Sequence, residues 1–323
     1  MKAAVYYKYG PPNVIQLEEI EKPVPRPDEI LIRNYAATVS TVDSIFRKGD
    51  SFFARMATGM LNPKNKILGS DFAGEVEATG KDVTRFKAGD KLFGDSSRKS
   101  STHAEYICLK EDDPIEKLPE GFSFEEAAAI PYGTLTALPF LRDHGKIKKD
   151  DKVLIIGASG SVGINAVQLA KYYEADVTAV CSTDNVNLVK SLGADRVIDY
   201  KKENFLKNGE TYNIIFDTIG KSKFDECKNS LKADGIYLTT VVGLPILINM
   251  VLTSKSTKKA IIAFTGLRKN QDKREDLSNI KQLLQAGRLK SIIDKKYELK
   301  NIADAHRYVD SGHKKGNVVV STQ

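Results

Sequence analysis

Apolar and polar positions follow two rhythms in this chain, and the change comes near Phe122. Before it, short apolar stretches alternate with turn residues. Lys2-Ala-Ala-Val-Tyr-Tyr reads as a strand. Glu29 to Ala37 reads as another, entered through Pro23, Pro25 and Pro27, whose fixed φ keeps the approach extended. Ile67 to Ala78, Asp90 to Gly94 and His103 to Leu109 continue the series. Gly49, Gly59, Gly69, Gly74, Gly80, Gly89 and Gly94 punctuate it as turns or bulges. Many short strands with glycine turns predict a small barrel-like domain.

After Phe122 the period lengthens. Ser123 and Glu126 are spaced as a capping box that opens a helix. From Lys152, apolar strands alternate with helices. Val153 to Ile156, Asp176 to Val180, Asp195 to Asp199, Asn213 to Asp217 and Gly235 to Thr239 read as strands. Residues 162–173, Asn185 to Leu192 and Lys221 to Leu231 read as helices. Fully apolar strands alternating with such helices predict a parallel sheet covered on both faces, the doubly wound Rossmann arrangement of an α/β protein. Further on, Leu277 to Gln285 and Leu299 to Val309 are helical, and Val318 to Ser321 is a closing strand.

The most apolar run, Gly243 to Leu252, is far shorter than the ~20 residues a bilayer span needs. It reads as a buried or pocket-lining segment. Ala260-Ile-Ile-Ala-Phe reads as the last strand of the parallel sheet, at its edge. An apolar edge must be paired or covered, which leads to the expectation of a homodimer built through this strand.

Composition narrows the classes. A length of 323 residues implies two domains, and 41% apolar residues are enough for large cores. The net charge of +7 favours anionic ligands, but the basic residues are spread along the chain and no nucleic-acid motif accompanies them. Cys108, Cys181 and Cys227 are odd in number and widely spaced, which argues for a reducing, cytoplasmic setting. Neither a signal peptide nor a membrane association is expected.

The strongest motif is Ile155-Ile-Gly-Ala-Ser-Gly-Ser-Val-Gly, between an apolar strand and a helix. A pyrophosphate fits there, because a helix N-terminus presents N–H groups and the positive end of a dipole. The contacting stretch is Ala158, Ser159, Gly160, Ser161, Val162 and Gly163. Gly160 allows close backbone approach, and Gly163 allows the helix to pack on the strand. The first glycine of the usual GxGxxG is Ala158. The second strand ends without the acid that would bind the ribose hydroxyls of NAD; Ser182 and Thr183 stand there instead, with Asp184 just beyond. This favours NADP(H) over NAD(H).

With these features in place, the chain resembles the medium-chain dehydrogenase/reductase superfamily, in its zinc-independent quinone oxidoreductase-like branch. The likeness runs over essentially the whole chain. It is carried by Val39-Ser-Thr-Val-Asp-Ser-Ile-Phe-Arg-Lys-Gly, Leu68-Gly-Ser-Asp-Phe-Ala-Gly-Glu-Val, Phe86-Lys-Ala-Gly-Asp-Lys-Leu-Phe-Gly, Ile130-Pro-Tyr-Gly-Thr-Leu-Thr-Ala, the glycine motif, Phe216-Asp-Thr-Ile-Gly and Gly312-His-Lys-Lys-Gly-Asn-Val-Val-Val. The resemblance implies a GroES-like β-barrel catalytic domain from residues 1–123 and 268–323, with a Rossmann dinucleotide domain from 124–267.

It also implies roles for single residues. Thr136 is placed at the nicotinamide end and Tyr200 at the adenosine ribose. Asp217, Thr218 and Gly220, with Thr240 and Val241, run beneath the cofactor. Asn317 matches a position near the nicotinamide that is usually Lys or Arg. Ser40, Asp43 and Tyr132, with Thr136, are the candidates at the reacting end. The catalytic-zinc positions of metal-dependent relatives fall at Ser40, Ser70 and Tyr132, none of them Cys or His, so no metal is expected. The implied chemistry is hydride transfer from NADPH to a quinone or an α,β-unsaturated carbonyl, in a pocket with apolar residues around Phe46, Phe52, Phe53, Met56 and Leu244 to Leu252. The proton comes from water or from a hydroxyl such as Ser40 or Tyr132. Two other readings stay open: an enoyl-thioester reductase on the same scaffold, and a non-enzymatic dinucleotide-binding redox sensor.

Overall fold

The computed structural model describes residues 1–96 and 101–323, without the Phe53 side chain. The chain divides into two units, Met1–Tyr132 with Lys269–Gln323, and Gly133–Arg268.

The first unit opens with an antiparallel pair, β1 (Lys2–Val5) and β2 (Gln16–Glu19). β3 (Glu29–Val39) leads to two short helices, α1 (Thr41–Lys48) and α2 (Phe52–Thr58). β4 (Asp71–Thr79), β5 (Lys91–Asp95), β6 (Tyr106–Lys110) and β7 (Ile115–Lys117) follow. The buried apolar side chains of these strands form a core of Ile30, Ile32, Phe72, Val76, Leu92, Ile107 and Leu109. The helix opened by Ser123, α3 (Phe124–Ala128), carries the expected capping box, the Ser123 Oγ accepting from the Glu126 amide. It packs on β3 and β4 and so belongs with the first unit rather than opening the second.

α4 (Pro131–Pro139) leads into the second unit. β8 (Lys152–Ile156), α5 (Ser161–Tyr172), β9 (Asp176–Cys181), α6 (Val186–Ser191), β10 (Arg196–Asp199), β11 (Tyr212–Asp217), α7 (Phe224–Cys227), β12 (Leu231–Thr239), α8 (Leu244–Leu252) and β13 (Lys259–Ile262) alternate along it. Among the described residues the strands form a parallel sheet in the order β10-β9-β8-β11-β12-β13. Ile155 sits beside Ala179 and Phe216 in register, so the fully apolar strands fill the middle of the sheet. This is the doubly wound arrangement, and its order reverses at β8, between β9 and β11.

The chain then returns to the first unit through α9 (Asn270–Gln285), β14 (Ile293–Glu298), α10 (Ile302–Asp310) and β15 (Asn317–Ser321). β15 pairs antiparallel with β3, Val318 opposite Val39, and parallel with β14. The sheet runs β14-β15-β3-β4-β5-β7, with β6 also paired to β3.

Periodicity overlooked β2, β7 and β14 and the helices α1 and α2. β14 alternates polar and half-buried positions with little apolar signal, Ile293-Asp-Lys-Lys-Tyr-Glu. The run Gly243–Leu252 is corrected more substantially. It is a helix, α8, packed on β13 through Ile246, while Leu244, Val251 and Leu252 are each about 70% exposed. β13 is an edge strand, as its place in the chain suggested.

Candidate functional site

The turn after β8 is built from glycines that do different jobs. Gly157 has φ +78, and a Cβ there would lie 2.7 Å from the Ile219 side chain. The Gly157 and Ala158 amides both donate to the Val180 carbonyl, at 3.2 and 3.0 Å, which ties the turn to the end of β9. A Cβ on Gly163 would lie 2.1 Å from the Gly157 carbonyl oxygen, so α5 rests directly on the turn. Gly160 is unlike both. Its φ of −80 suits any residue, and an added Cβ would meet only the Gly157 oxygen, at an ordinary 3.5 Å. The fold therefore does not require glycine at 160. Gly160 is the N-cap of α5 and gives that N-terminus no side-chain cap. The open space, the uncapped dipole and the preceding strand together fit a phosphate.

Parallel strands carry their carboxyl ends to the same side, and most of the expected cofactor residues collect there. Thr218 donates from its hydroxyl to the Ile156 carbonyl at 2.9 Å, and Thr240 to the Thr218 carbonyl at 3.0 Å. These bonds stitch the ends of β8, β11 and β12 together. Gly220, at φ +67, lies against the exposed Val241; a Cβ there would sit 2.8 Å from its methyl carbon. Asp217 is wholly buried and turned into the protein. Its carboxylate accepts from the amides of Ile219, Gly220 and Ser222 and from the Ser222 hydroxyl, at 2.7–3.0 Å. Asp217 thus shapes the loop that follows β11 and has no oxygen to spare for a ligand.

At the end of β9 the geometry departs from expectation. Thr183 donates its hydroxyl to Asp199 at 2.7 Å. Asp199 ends the neighbouring strand, in register with Cys181. The missing acid of β9 is thus present one strand over, a place that spacing along β9 cannot reveal. The Thr183 hydroxyl, the Lys201 amide and the Lys201 and Lys202 ammonium groups hold Asp199 below the usual carboxylate range. Its two oxygens are already used by Thr183 and the Lys201 amide. Tyr200 is exposed beside it. Burial, with Asp199 adding to it, pushes the neighbouring Cys181 thiol up to about 11, so it stays neutral.

In the first unit, Ser40 and Asp43 cap α1. The Ser40 hydroxyl and amide both donate to Asp43 Oδ2, at 2.6 and 2.7 Å, and the Gly69 amide donates to Oδ1 at 3.0 Å. The Ser40 hydroxyl is therefore committed within the protein. Burial raises the Tyr132 phenol above its usual pKa, with the nearby Asp43 and Asp71 carboxyls adding to it, so Tyr132 is a proton-bearing group at neutral pH. Asp71 is buried and accepts from the Thr38 hydroxyl at 2.8 Å. Burial, Asp95 and Asp43 push its carboxyl well above the ordinary range. The sequence singled out Leu68-Gly-Ser-Asp as a motif but not Asp71 as a site residue. Asn317 is also buried; its amide donates to the Ala129 and Ile292 carbonyls at 2.8 and 3.2 Å. Thr136 is half-buried on α4. Of the apolar candidates, Phe46 packs into the core, Phe52 and Met56 are exposed, and the Phe53 side chain lies outside the described residues.

His103 and His306, far apart in sequence, meet edge to face at 5.6 Å in the first unit. Among the described residues no group of three or more His, Cys, Asp or Glu side chains is placed to hold a metal ion. Ser40, Ser70 and Tyr132 carry hydroxyls, a donor set unlike the Cys and His that a catalytic zinc takes.

Two family models match the chain. One described as an alcohol dehydrogenase GroES-like domain covers residues 26–139, and one described as a zinc-binding dehydrogenase covers residues 192–320. The chain is 31% identical to the mitochondrial NAD(P)H oxidoreductase RTN4IP1 of Bos taurus, over 99% of this chain and 89% of that protein. It is 31% identical to the chloroplastic NADPH-dependent alkenal/one oxidoreductase of Arabidopsis thaliana, over 99% of this chain and 79% of that one. Its fold superposes on the quinone oxidoreductase of Coxiella burnetii with a TM-score of 0.89, at 29% identity, over 100% of this chain and 99% of the other.

Proposed function

Since this chain belongs to the quinone and alkenal oxidoreductases of the medium-chain dehydrogenase/reductase superfamily, we propose that it transfers hydride from NADPH, without zinc, to a quinone or an α,β-unsaturated carbonyl. The observation that carries the cofactor site is the space over Gly160, at the uncapped end of α5. Ala158 to Gly163 would hold the pyrophosphate there, with Thr218, Gly220, Thr240 and Val241 lining the strand ends beside it. Bound reduced nicotinamide supplies the hydride. The protein's part is to fix the acceptor and supply a proton.

The proton comes from water or from a hydroxyl such as Tyr132 or Ser40. Burial makes the Tyr132 phenol a weaker acid than usual, and the Ser40 hydroxyl is held by Asp43. An acceptor polarised by its own conjugated carbonyl needs no Lewis acid, unlike an alcohol whose hydroxyl must first lose a proton. The enoyl-thioester alternative is not favoured, because the two relatives described above, each 31% identical, carry NAD(P)H oxidoreductase and alkenal/one oxidoreductase names. The test is turnover on a panel of quinones and enals with each reduced cofactor, with and without a chelator. NADPH-dependent turnover unchanged by the chelator is expected. Turnover lost with the chelator and restored by zinc would overturn the metal-free mechanism.

We also propose a homodimer formed through the second unit. Among the described residues β13 leaves one edge of its sheet unpaired, and the outer face of α8 presents Leu244, Ile248, Val251 and Leu252 to solvent. Burying the same patch twice across a two-fold axis removes both apolar faces from water. Light scattering should give twice the 35.7 kDa chain mass. Ile248→Glu should return it to one chain mass with an unchanged circular dichroism spectrum. A wild-type protein that stays at one chain mass at high concentration would exclude the dimer. No helix among the described residues is long and apolar enough to cross a membrane. The free cysteines suit a reducing compartment such as the cytoplasm.

A further inference from the structure

Asn185 lies between the two places where the second unit would meet a dinucleotide. It is buried, and its side-chain Nδ2 donates to Ser159 Oγ at 2.9 Å and to Ser182 Oγ at 3.1 Å. Ser159 belongs to the turn before α5, and Ser182 follows the last residue of β9. The Asn185 amide also donates to the Ser182 carbonyl at 2.9 Å, which fixes the side chain over both hydroxyls.

An amide nitrogen can only donate, so each serine oxygen is the acceptor in its bond. Each hydroxyl hydrogen is then left for a different acceptor. Among the described residues neither serine donates to any protein group. Both are half-buried and within reach of the same nitrogen, so they form a pair of converging donors with no acceptor of their own.

We propose that Asn185 is the positioning residue that sets cofactor specificity: it turns Ser159 and Ser182 into a donor pair for a phosphate monoester on the adenosine ribose. This rests on the dinucleotide reading and deepens it. A 2′-phosphate presents acceptor oxygens alone and satisfies both hydroxyls. A free ribose 2′-hydroxyl has one oxygen in that place and no charge to strengthen the bond. Thr183 cannot join the pair, because its hydroxyl is given to Asp199. Lys201 and Tyr200, just past the end of β10, supply charge and an aromatic face on the same side of the sheet.

The test uses the full chain and four proteins: wild type, Asn185→Ala, Ser182→Ala and the double variant. Dissociation constants are measured for NADPH and NADH, with 2′,5′-ADP and 5′-AMP as probes of the ribose phosphate alone. Wild type should prefer NADPH. Each single substitution should lower the NADPH-to-NADH preference about tenfold, the scale of one hydrogen bond to a charged group. The double variant should lower it little below Asn185→Ala alone, because Asn185 acts through the serines it holds. Loss of 2′,5′-ADP binding should follow the same pattern, with 5′-AMP little changed. A purely structural Asn185 would weaken both dinucleotides alike and leave the preference intact, which overturns the proposal. So would independent, multiplying effects in the double variant. A wild type that prefers NADH overturns the NADPH reading itself, and this is seen before any variant is compared.

Discussion

Gly160→Val should abolish dinucleotide binding in a protein that is still folded. The backbone at 160, φ −80 and ψ 173, is extended and comfortable for valine. The first added carbon meets nothing closer than 3.5 Å. Valine is a poorer N-cap than glycine, which costs about 1 kcal/mol or less. Against that small loss, the two further methyl groups fill the space over the end of α5 where a phosphate would lie against the backbone. The dissociation constant for NADPH should rise at least about a hundredfold, the ~3 kcal/mol lost when backbone donors can no longer reach a charged acceptor. Titration beside a circular dichroism melt reads both effects. Unchanged affinity with an unchanged melt would place the cofactor elsewhere.

His306→Leu should make the protein more resistant to acid. The His306 ring is wholly buried, and among the described residues neither of its nitrogens has a hydrogen-bond partner. Burial pushes its pKa well below the usual 6.5, and His103 and Arg47 push the same way. The folded state therefore keeps the ring neutral at pH values where the unfolded chain protonates it. Below about pH 6.5 the unfolded state binds the extra proton, so stability falls as pH falls, by ~1.4 kcal/mol per pH unit. By pH 5 this one ring should cost the fold about 2 kcal/mol relative to pH 7. Leucine has a similar volume and no proton to gain, so the variant should lose about 2 kcal/mol less across that range. Urea unfolding at pH 7 and pH 5 measures the difference. Equal pH dependence in the two proteins would mean that the ring is already charged, or solvated, in the folded state.

The sequence was most legible where one local rule decides the structure. Val153 to Ile156 read as a central strand, because four consecutive apolar residues followed by a glycine turn suit a sheet covered on both faces. Ser123 and Glu126 had to cap a helix, because their spacing satisfies two orphan amides at once. The glycine turn was readable for the same reason, and the three glycines even separate by role once their surroundings are known. What escaped was whatever depends on a neighbour distant in the chain. Asp199 takes the Thr183 hydroxyl only because β10 lies beside β9. Asp71 is a perturbed carboxyl only because Asp43 and Asp95 are folded around it. The meeting of His103 with His306 spans two hundred residues and leaves no local trace. Asn185 was hidden differently. It stands next to the charged Asp184, yet it is the uncharged amide that reaches both serines.

The pairing of β15 with β3 carries a consequence for how the chain is made. Residues 133–268 form an uninterrupted unit and can fold as soon as they leave the ribosome, since every strand of that sheet is supplied from within them. The first unit has no such freedom. Val39 waits for Val318, so the last residues of β3, Ala36 to Val39, emerge early with one edge unsatisfied and keep it through most of synthesis, while β6 pairs Glu29 to Arg33 sooner. Contacts of such long sequence separation form slowly, and an open apolar strand is where a nascent chain aggregates or recruits a chaperone. The second half of translation is therefore the vulnerable period for this protein, and the last strand to appear is the one that ends it.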